Sequence, residues 1–293
     1  MGSIQLIEKE KGAHMFLLSE QQKAFFETFG FLSFPGLMAD VKDEIVNAFE
    51  AIWAGHGGGH GGKPHDGERR SCIVPFIDQH ERLCALLDDE RIHGILAGVL
   101  GDDFNYVGSD GNYYAGDTGW HSDGWGKNVR FVKIAFYLDA VTKDTGCLRV
   151  IPGSHHLDDG FANALQAGVR SSDETWGITG KDMPALALET KPGDVVLFNH
   201  NLKHAAFGGS TRRRMFTINC SARFPEDEEH IAFLKKYISA HARFWIDRVY
   251  GEKMVATAGP DRMRHLEQVR AHDGHLAELA AKARAEMPEP SRG

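Results

Sequence analysis

The sequence predicts a mainly β domain with flanking helices, and three observations carry that expectation. Between about residues 104 and 224, short apolar or alternating runs are separated by Gly, Asp, Asn and Pro: Phe131 to Leu138, Leu148 to Ile151, Val195 to Phe198 and Met215 to Cys220. This is the rhythm of an antiparallel β-sandwich or barrel. On both sides of the block the apolar spacing is helical instead. The chain has 293 residues, 42% of them hydrophobic, enough to bury a real core in one large domain with appendages. The expected division is an N-terminal tail (1–15), a domain over 16–224 that includes N-terminal helices, and a helical C-terminal extension over 225–293.

In chain order, the first dozen residues read as a loose tail. Ser19-Glu20-Gln21-Gln22 reads as a capping box, with Gln22 reaching back to the Ser19 backbone. The helix it starts runs through Phe25, Phe26 and Phe29, and Gly30 stops it. Phe31 to Phe34 is a strand ended by Pro35-Gly36. Asp40 caps a second helix whose stripe is Val41, Ile45, Phe49 and Ile52. Residues 55–62, GHGGGHGG, read as a mobile loop, because glycine loses most entropy on ordering. A third helix covers 89–100, with Ile92, Ile95, Leu96 and Val99 inward and Gly101 after it. Beyond Pro225, Ile231, Leu234 and Ile238, then Phe244, Trp245 and Val249, form apolar stripes, and 260–285 reads as one amphipathic helix. This C-terminal part is expected to be a packing surface or a homo-oligomer contact.

Composition narrows the partners. A formal net charge of −8 argues against a nucleic-acid phosphate reader and makes a strongly anionic substrate less attractive, although local charge matters more. No apolar stretch approaches the roughly 18 residues that a membrane span needs, and no secretory signal is visible. Cys72, Cys84, Cys147 and Cys220 are scattered, which reads as free thiols in a reducing cytoplasm rather than a disulfide framework.

The chemistry is concentrated in His121-Ser122-Asp123. On an extended segment, side chains two apart point the same way. A third ligand from a distant strand, His204, would complete a triad covering one face of a metal ion and leave the opposite positions open. Two histidines and one carboxylate with open positions are the ligand set expected of a non-haem Fe(II) oxygenase. His-x-Asp alone arises often by chance, so its surroundings matter. Trp120 precedes it and Gly124-Trp125 follow it. Further on come Ile151-Pro152-Gly153-Ser154-His155, the tight turn Lys191-Pro192-Gly193-Asp194, and the arginine run Arg212-Arg213-Arg214.

With these pieces in order, the chain resembles the phytanoyl-CoA dioxygenase family of Fe(II)/2-oxoglutarate oxygenases. The resemblance rests on WHSDG, CLRVIPGSHH, KPGDVVLFNHNLKH, RRRMFTINC and the N-terminal SEQQKAFFETFGFLSFPGL, and it spans roughly residues 16 to 224. It implies a double-stranded β-helix, a cupin-like jelly-roll whose mouth holds the iron. It implies Fe(II), 2-oxoglutarate and O2 as cofactors, a small-molecule substrate, and His121, Asp123 and His204 as the metal ligands. An arginine near the start of the last core strand would bind the far carboxylate of 2-oxoglutarate, a task suited to a bidentate, permanently charged guanidinium. Strand alternation puts Arg213, Met215, Thr217 and Asn219 on one face and Arg214, Phe216 and Ile218 on the other. Arg213 is therefore preferred, with Arg214 as the alternative and Arg212 facing solvent.

Other residues carry two readings. Lys133, in the middle of the apolar strand FVKIAFYL, either faces solvent or points into the barrel to hold a cosubstrate or substrate carboxylate. Asn112, Tyr113 and Tyr114 precede the metal motif on a strand and either line the cofactor cavity or belong to the core. Trp125 either walls the substrate side or does not reach it. His155 and His156 follow a turn that reads as structural, and His200 lacks the HExxH context of a helical metal pair. His56, His60 and His65 read as a flexible lid or surface feature. The expected reaction is hydroxylation. Desaturation, epimerisation or ring formation with the same cofactors is the alternative within the class. Outside it stand a non-catalytic jelly-roll binding protein and a cupin-like isomerase or hydrolase that does without 2-oxoglutarate.

Overall fold

A computed structural model describes residues 6–8 and 14–293. The expected N-terminal tail falls partly outside them, at residues 1–5 and 9–13. Its remainder forms an antiparallel pair, β1 (Leu6–Glu8) with β2 (His14–Phe16). The other strands are β3 (Phe31–Phe34), β4 (Ser71–Ile73), β5 (Phe104–Tyr114), β6 (Thr118–His121), β7 (Phe131–Tyr137), β8 (Leu148–Val150), β9 (Leu186–Leu188), β10 (Val195–Asn199), β11 (His204–Ala206) and β12 (Arg213–Ala222). They build a six-stranded sheet, β3-β10-β7-β12-β5-β4, and a four-stranded sheet, β6-β11-β8-β9, with every pair antiparallel. This is the jelly-roll that the sequence predicts, sheets at the centre and helices outside.

Period-two alternation assigns the faces of the large sheet. On β7, Ala135 and Tyr137 turn inward and pack with Phe31, Val196, Phe198 and Met215 against Leu148, Val150 and Leu188 of the small sheet. The intervening Ile134, Phe136, Phe216 and Ile218 turn outward and meet the helical layers. Phe136 and Phe216 stack at 4.5 Å across neighbouring strands, a pair that pins register.

The flanking helices follow the expected spacing. Ser19 caps Glu20–Phe29 through the reciprocal bonds of a capping box, and Gly30 ends that helix at φ 82°, in the left-handed region glycine favours. The second helix, Lys42–Gly55, buries Ile45, Phe49, Ile52 and also Trp53. Asp40 is not its cap. Val41 occupies that position without a side-chain bond, because Arg91 holds the Asp40 carboxylate at 2.6 Å. The third helix is Glu90–Leu100, with Asp89 as cap and Ile92, Ile95, Leu96 and Val99 buried.

Two further expectations change. The glycine-rich stretch is folded into turns, with His60–Gly62 forming a short 3₁₀ turn. His60 is buried. Its Nε2 donates to the Pro290 carbonyl at 2.8 Å, and its Nδ1 accepts from the Cys72 amide at 3.4 Å. His65 likewise bridges the Ser71 hydroxyl and the Thr211 carbonyl. Side chains pin a segment that glycine alone would leave loose. The C-terminal stretch is three short helices, Pro260–Arg264, Glu267–His272 and Leu276–Glu286, rather than one. They break where the buried polar residues His265 and Asp273 are bonded away from the helix axis. No described helix is long and apolar enough to cross a membrane.

Candidate active site

The open end of the jelly-roll holds a cavity of about 840 Å³. His121 ends β6 and His204 opens β11, and the two stand directly opposite in the antiparallel ladder. Their rings lie 4.2 Å apart, centroid to centroid. Each ring's Nδ1 lies against a main-chain carbonyl, that of Gly119 at 2.8 Å for His121 and that of Leu202 at 2.9 Å for His204. A carbonyl only accepts, so the proton is on Nδ1 and the Nε2 lone pair is free for a metal. Burial pushes His204 down to about 3, against the pull of Asp123, which keeps the ring neutral.

Asp123 lies past the end of β6, so alternation along a strand does not place it. The Gly124 amide donates to the His200 carbonyl at 3.0 Å, and Asn201 brackets Gly126 from both sides, which docks this turn on the β10–β11 connection. One Asp123 oxygen then sits 3.7 Å from His204 Nε2 and 2.8 Å from Lys133 Nζ. Burial raises the Asp123 carboxyl, but the Lys133 ammonium more than reverses this and holds it well below the usual carboxylate range. One ligand atom each from His121, Asp123 and His204 lie within 4.8 Å of one another, the only such grouping of metal-ligating residues among the described residues. Two imidazoles, each bonded through Nδ1 to a main-chain carbonyl, and an ionised carboxylate on one side of an open cavity fit Fe(II).

Lys133 takes the inward reading. Its side chain is 16% exposed, and it lines the cavity from β7. Arg213 is 2% exposed, lies 5.1 Å over the Tyr114 ring, and leaves Nε and Nη1 without any hydrogen-bond partner. Its guanidinium packs so closely on Gly146 and Gly209 that a Cβ on either would lie 1.9 or 2.7 Å from Nη1. Buried charged donors are rarely left unpaired, so this one points to an anionic ligand. Arg214 faces the other way and is saturated by Asp139 and Glu50. Arg212 also pairs with Glu50.

Asn112 is fully buried but does not line the cavity. Its amide accepts from Arg70 Nε at 2.8 Å and donates to Asp110 at 2.6 Å, so it orients cavity residues instead of contacting a cofactor. Tyr114 lines the cavity, whereas Tyr113 stacks on Trp53 in the core. Trp125 is outside the cavity, beneath the Lys203 ammonium at 3.7 Å. His155 and His156 donate to the carbonyls of Glu27 and Thr28, away from the metal triad. The sequence reading missed Arg70 and Asp110, an ion pair at 3.3 Å on the cavity wall, and the C-terminal residues Tyr237, His241 and Arg243 that also line it. The C-terminal layer is thus more than a packing surface.

The phytanoyl-CoA dioxygenase (PhyH) family model matches residues 76–216, a span that contains the whole triad and Arg213. Over those residues the chain matches the phytanoyl-CoA dioxygenase family. It is an Fe(II)/2-oxoglutarate-dependent dioxygenase, and Fe(II), 2-oxoglutarate and O2 are the cofactors of that family. It is 27% identical over 249 residues to the 2-aminoethylphosphonate dioxygenase of uncultured bacterium HF130_AEPn_1, covering 75% of this chain and 88% of that one. It is 28% identical over 177 residues to the ectoine dioxygenase of Sphingopyxis alaskensis, covering 51% and 56%. The crystal structure of the carbocyclase SnoK from nogalamycin biosynthesis superposes with a TM-score of 0.56 at 21% identity, over 71% of this chain and 85% of that one, and shares the fold.

Proposed function

We propose that this dioxygenase hydroxylates a small organic molecule, with His121, Asp123 and His204 as its Fe(II) ligands and Arg213 as the anchor for 2-oxoglutarate. The observation that carries the reading is the convergence of the three ligand atoms within 4.8 Å at the mouth of the barrel. Bound Fe(II) and 2-oxoglutarate supply the oxidising chemistry, in which 2-oxoglutarate is decarboxylated to succinate and CO2 while O2 is consumed. The protein's own part is positional. The two Nδ1–carbonyl bonds aim the imidazoles. Lys133 keeps Asp123 ionised and fixes its orientation. Arg213 offers two unpartnered N–H groups to the distal carboxylate, beside the cavity-lining Tyr114 and Tyr137. With Asp123 as the carboxylate ligand, hydroxylation is favoured over halogenation. Four free, buried thiols fit a reducing compartment, the cytoplasm. The test is succinate release under O2 with Fe(II) and 2-oxoglutarate, in wild type and in Asp123→Ala. Release by wild type with loss in the variant supports the reading. Undiminished release by a variant shown to carry iron overturns the ligand assignment.

A further inference from the structure

We infer that the substrate is a small organic acid, held through a carboxylate, phosphonate or phosphate group by Arg243; this rests on the reading of the site given above. The chain as a whole is acidic, at −8, but the cavity is not. Five permanent or near-permanent cations line it: Arg70, Lys133, Arg170, Arg213 and Arg243. Only two side-chain carboxylates, Asp110 and Asp123, answer them. The two positive charges of Fe(II) and the two negative charges of 2-oxoglutarate cancel, so the side chains of the loaded cavity keep an excess of three positive charges. Such an excess in a low-dielectric cleft favours an anion.

Three of the five cations have assignments. Lys133 is on Asp123 at 2.8 Å, Arg70 is on Asp110 at 3.3 Å, and Arg213 is assigned to 2-oxoglutarate. Arg170 and Arg243 are exposed and make no ion pair among the described residues. Arg243 is the better anchor because it is tied to Arg70. The Ser291 amide donates to the Arg243 carbonyl at 2.8 Å, and Arg292 Nη1 donates to the Arg70 carbonyl at 2.9 Å. One short C-terminal strap thus joins both arginines at the cavity. A second, independent sign of a ligand lies deeper. His200 is 7% exposed and lines the cavity, with Nε2 buried and without a partner. Its ring stacks on Phe131 at 5.5 Å, which fixes where that nitrogen points. An orphaned buried nitrogen is satisfied when a polar group of the substrate reaches it.

The test uses the full chain loaded with Fe(II) and 2-oxoglutarate under anaerobic conditions, with 2-oxoglutarate binding read first by calorimetry. Methylphosphonate, inorganic phosphate and acetate are then titrated in, with acetamide as the neutral counterpart. At least one oxyanion should bind and acetamide should not. Arg243→Gln should weaken that binding by about tenfold or more and Arg243→Lys by less, with 2-oxoglutarate affinity kept within about twofold. If protein that binds 2-oxoglutarate binds no oxyanion, or if Arg243→Gln binds them as wild type does, the inference fails and the reading of the metal site stands. If 2-oxoglutarate itself does not bind, that reading fails and takes the inference with it.

Discussion

Arg213 and Arg214 are adjacent in sequence and opposite in circumstance. One is buried, with two nitrogens unpartnered; the other is held by two carboxylates. Losing a charged hydrogen-bonded contact costs about 1.5–3 kcal/mol, so Arg213→Ala should raise the 2-oxoglutarate requirement by roughly tenfold to a hundredfold. Arg214→Ala should leave that requirement near wild type and lower the melting temperature instead, because it strands Asp139. Steady-state kinetics in 2-oxoglutarate and thermal denaturation separate the two, and the opposite pattern would show that the facing argument is wrong. Gly209→Ala should lower the melting temperature as well as 2-oxoglutarate affinity, since the new methyl would lie 2.1 Å from the Gly116 carbonyl oxygen and 2.7 Å from Arg213 Nη1. The order of the His-x-Asp pair and the distant His204, and the facing of Arg213 on its strand, were legible in the sequence; the placing of Asp123 was not, because it lies past the end of β6 and is set by docking on the β10–β11 connection. Arg70, His200 and Arg243 were not. What marks them is an unpaired or oppositely charged group brought close by the fold, and no local pattern encodes that. Lys133 lies between these cases. Alternation with Ala135 and Tyr137 gave its face, but only the position of Asp123 showed which face was the cavity.

At the scale of elements, local signals predicted local structure well. The Ser19–Gln22 box and the Gly30 stop are self-contained, so reading them needs no tertiary knowledge. Ser19→Ala should cost about 1 kcal/mol, measured by denaturant unfolding. Asp40 shows the limit of such signals. It has the chemistry of a cap, yet Arg91, 51 residues away, outbids the helix for it. The glycine stretch fails for the same reason in reverse. Its composition predicts looseness, but buried His60 ties it to Pro290, at the start of the strap that holds Arg243 and Arg70. His60→Ala should therefore destabilise by about 1–3 kcal/mol, the cost of leaving buried groups unpaired. It should also expose the strap to proteolysis near residues 287–293. An unchanged unfolding curve and digestion pattern would mean that the turn does not secure the strap. In the C-terminal stretch, Asp273-Gly274 is a turn signal inside an otherwise helical pattern, and the break between the last two helices falls there.

For the molecule as a whole, the consequence is a stability that depends on acid. Burial pushes His265 down to about 4, and the same cause brings His155 and His200 to about 4. The free imidazole titrates near 6.5, so between about pH 4 and 6.5 the unfolded chain binds protons that the folded chain refuses. Stability therefore rises with pH across that window, by about 1.4 kcal/mol per pH unit for each proton involved, and the contribution is flat above it. Asp78 acts in the opposite sense. Burial raises it from 3.8 to about 6, against hydrogen bonds from Tyr106 and Gly251, so the folded state holds its proton longer and loses stability as pH climbs through the same range. These three histidines, with His204 lower still at about 3, outweigh the one aspartate and leave a net fall in stability on acidification from pH 6.5 towards 4. His265 is the informative site, because it is 1% exposed, stacks on Phe104 at 3.8 Å, and lies away from the metal triad. Urea unfolding of metal-free protein at a series of pH values should give midpoints that drop below pH 6.5. In His265→Gln, which keeps a donor for the Phe104 carbonyl, the drop should be shallower, while Asp78→Asn should make it steeper. Parallel curves for wild type and His265→Gln would mean that the buried ring takes up its proton without opening the fold.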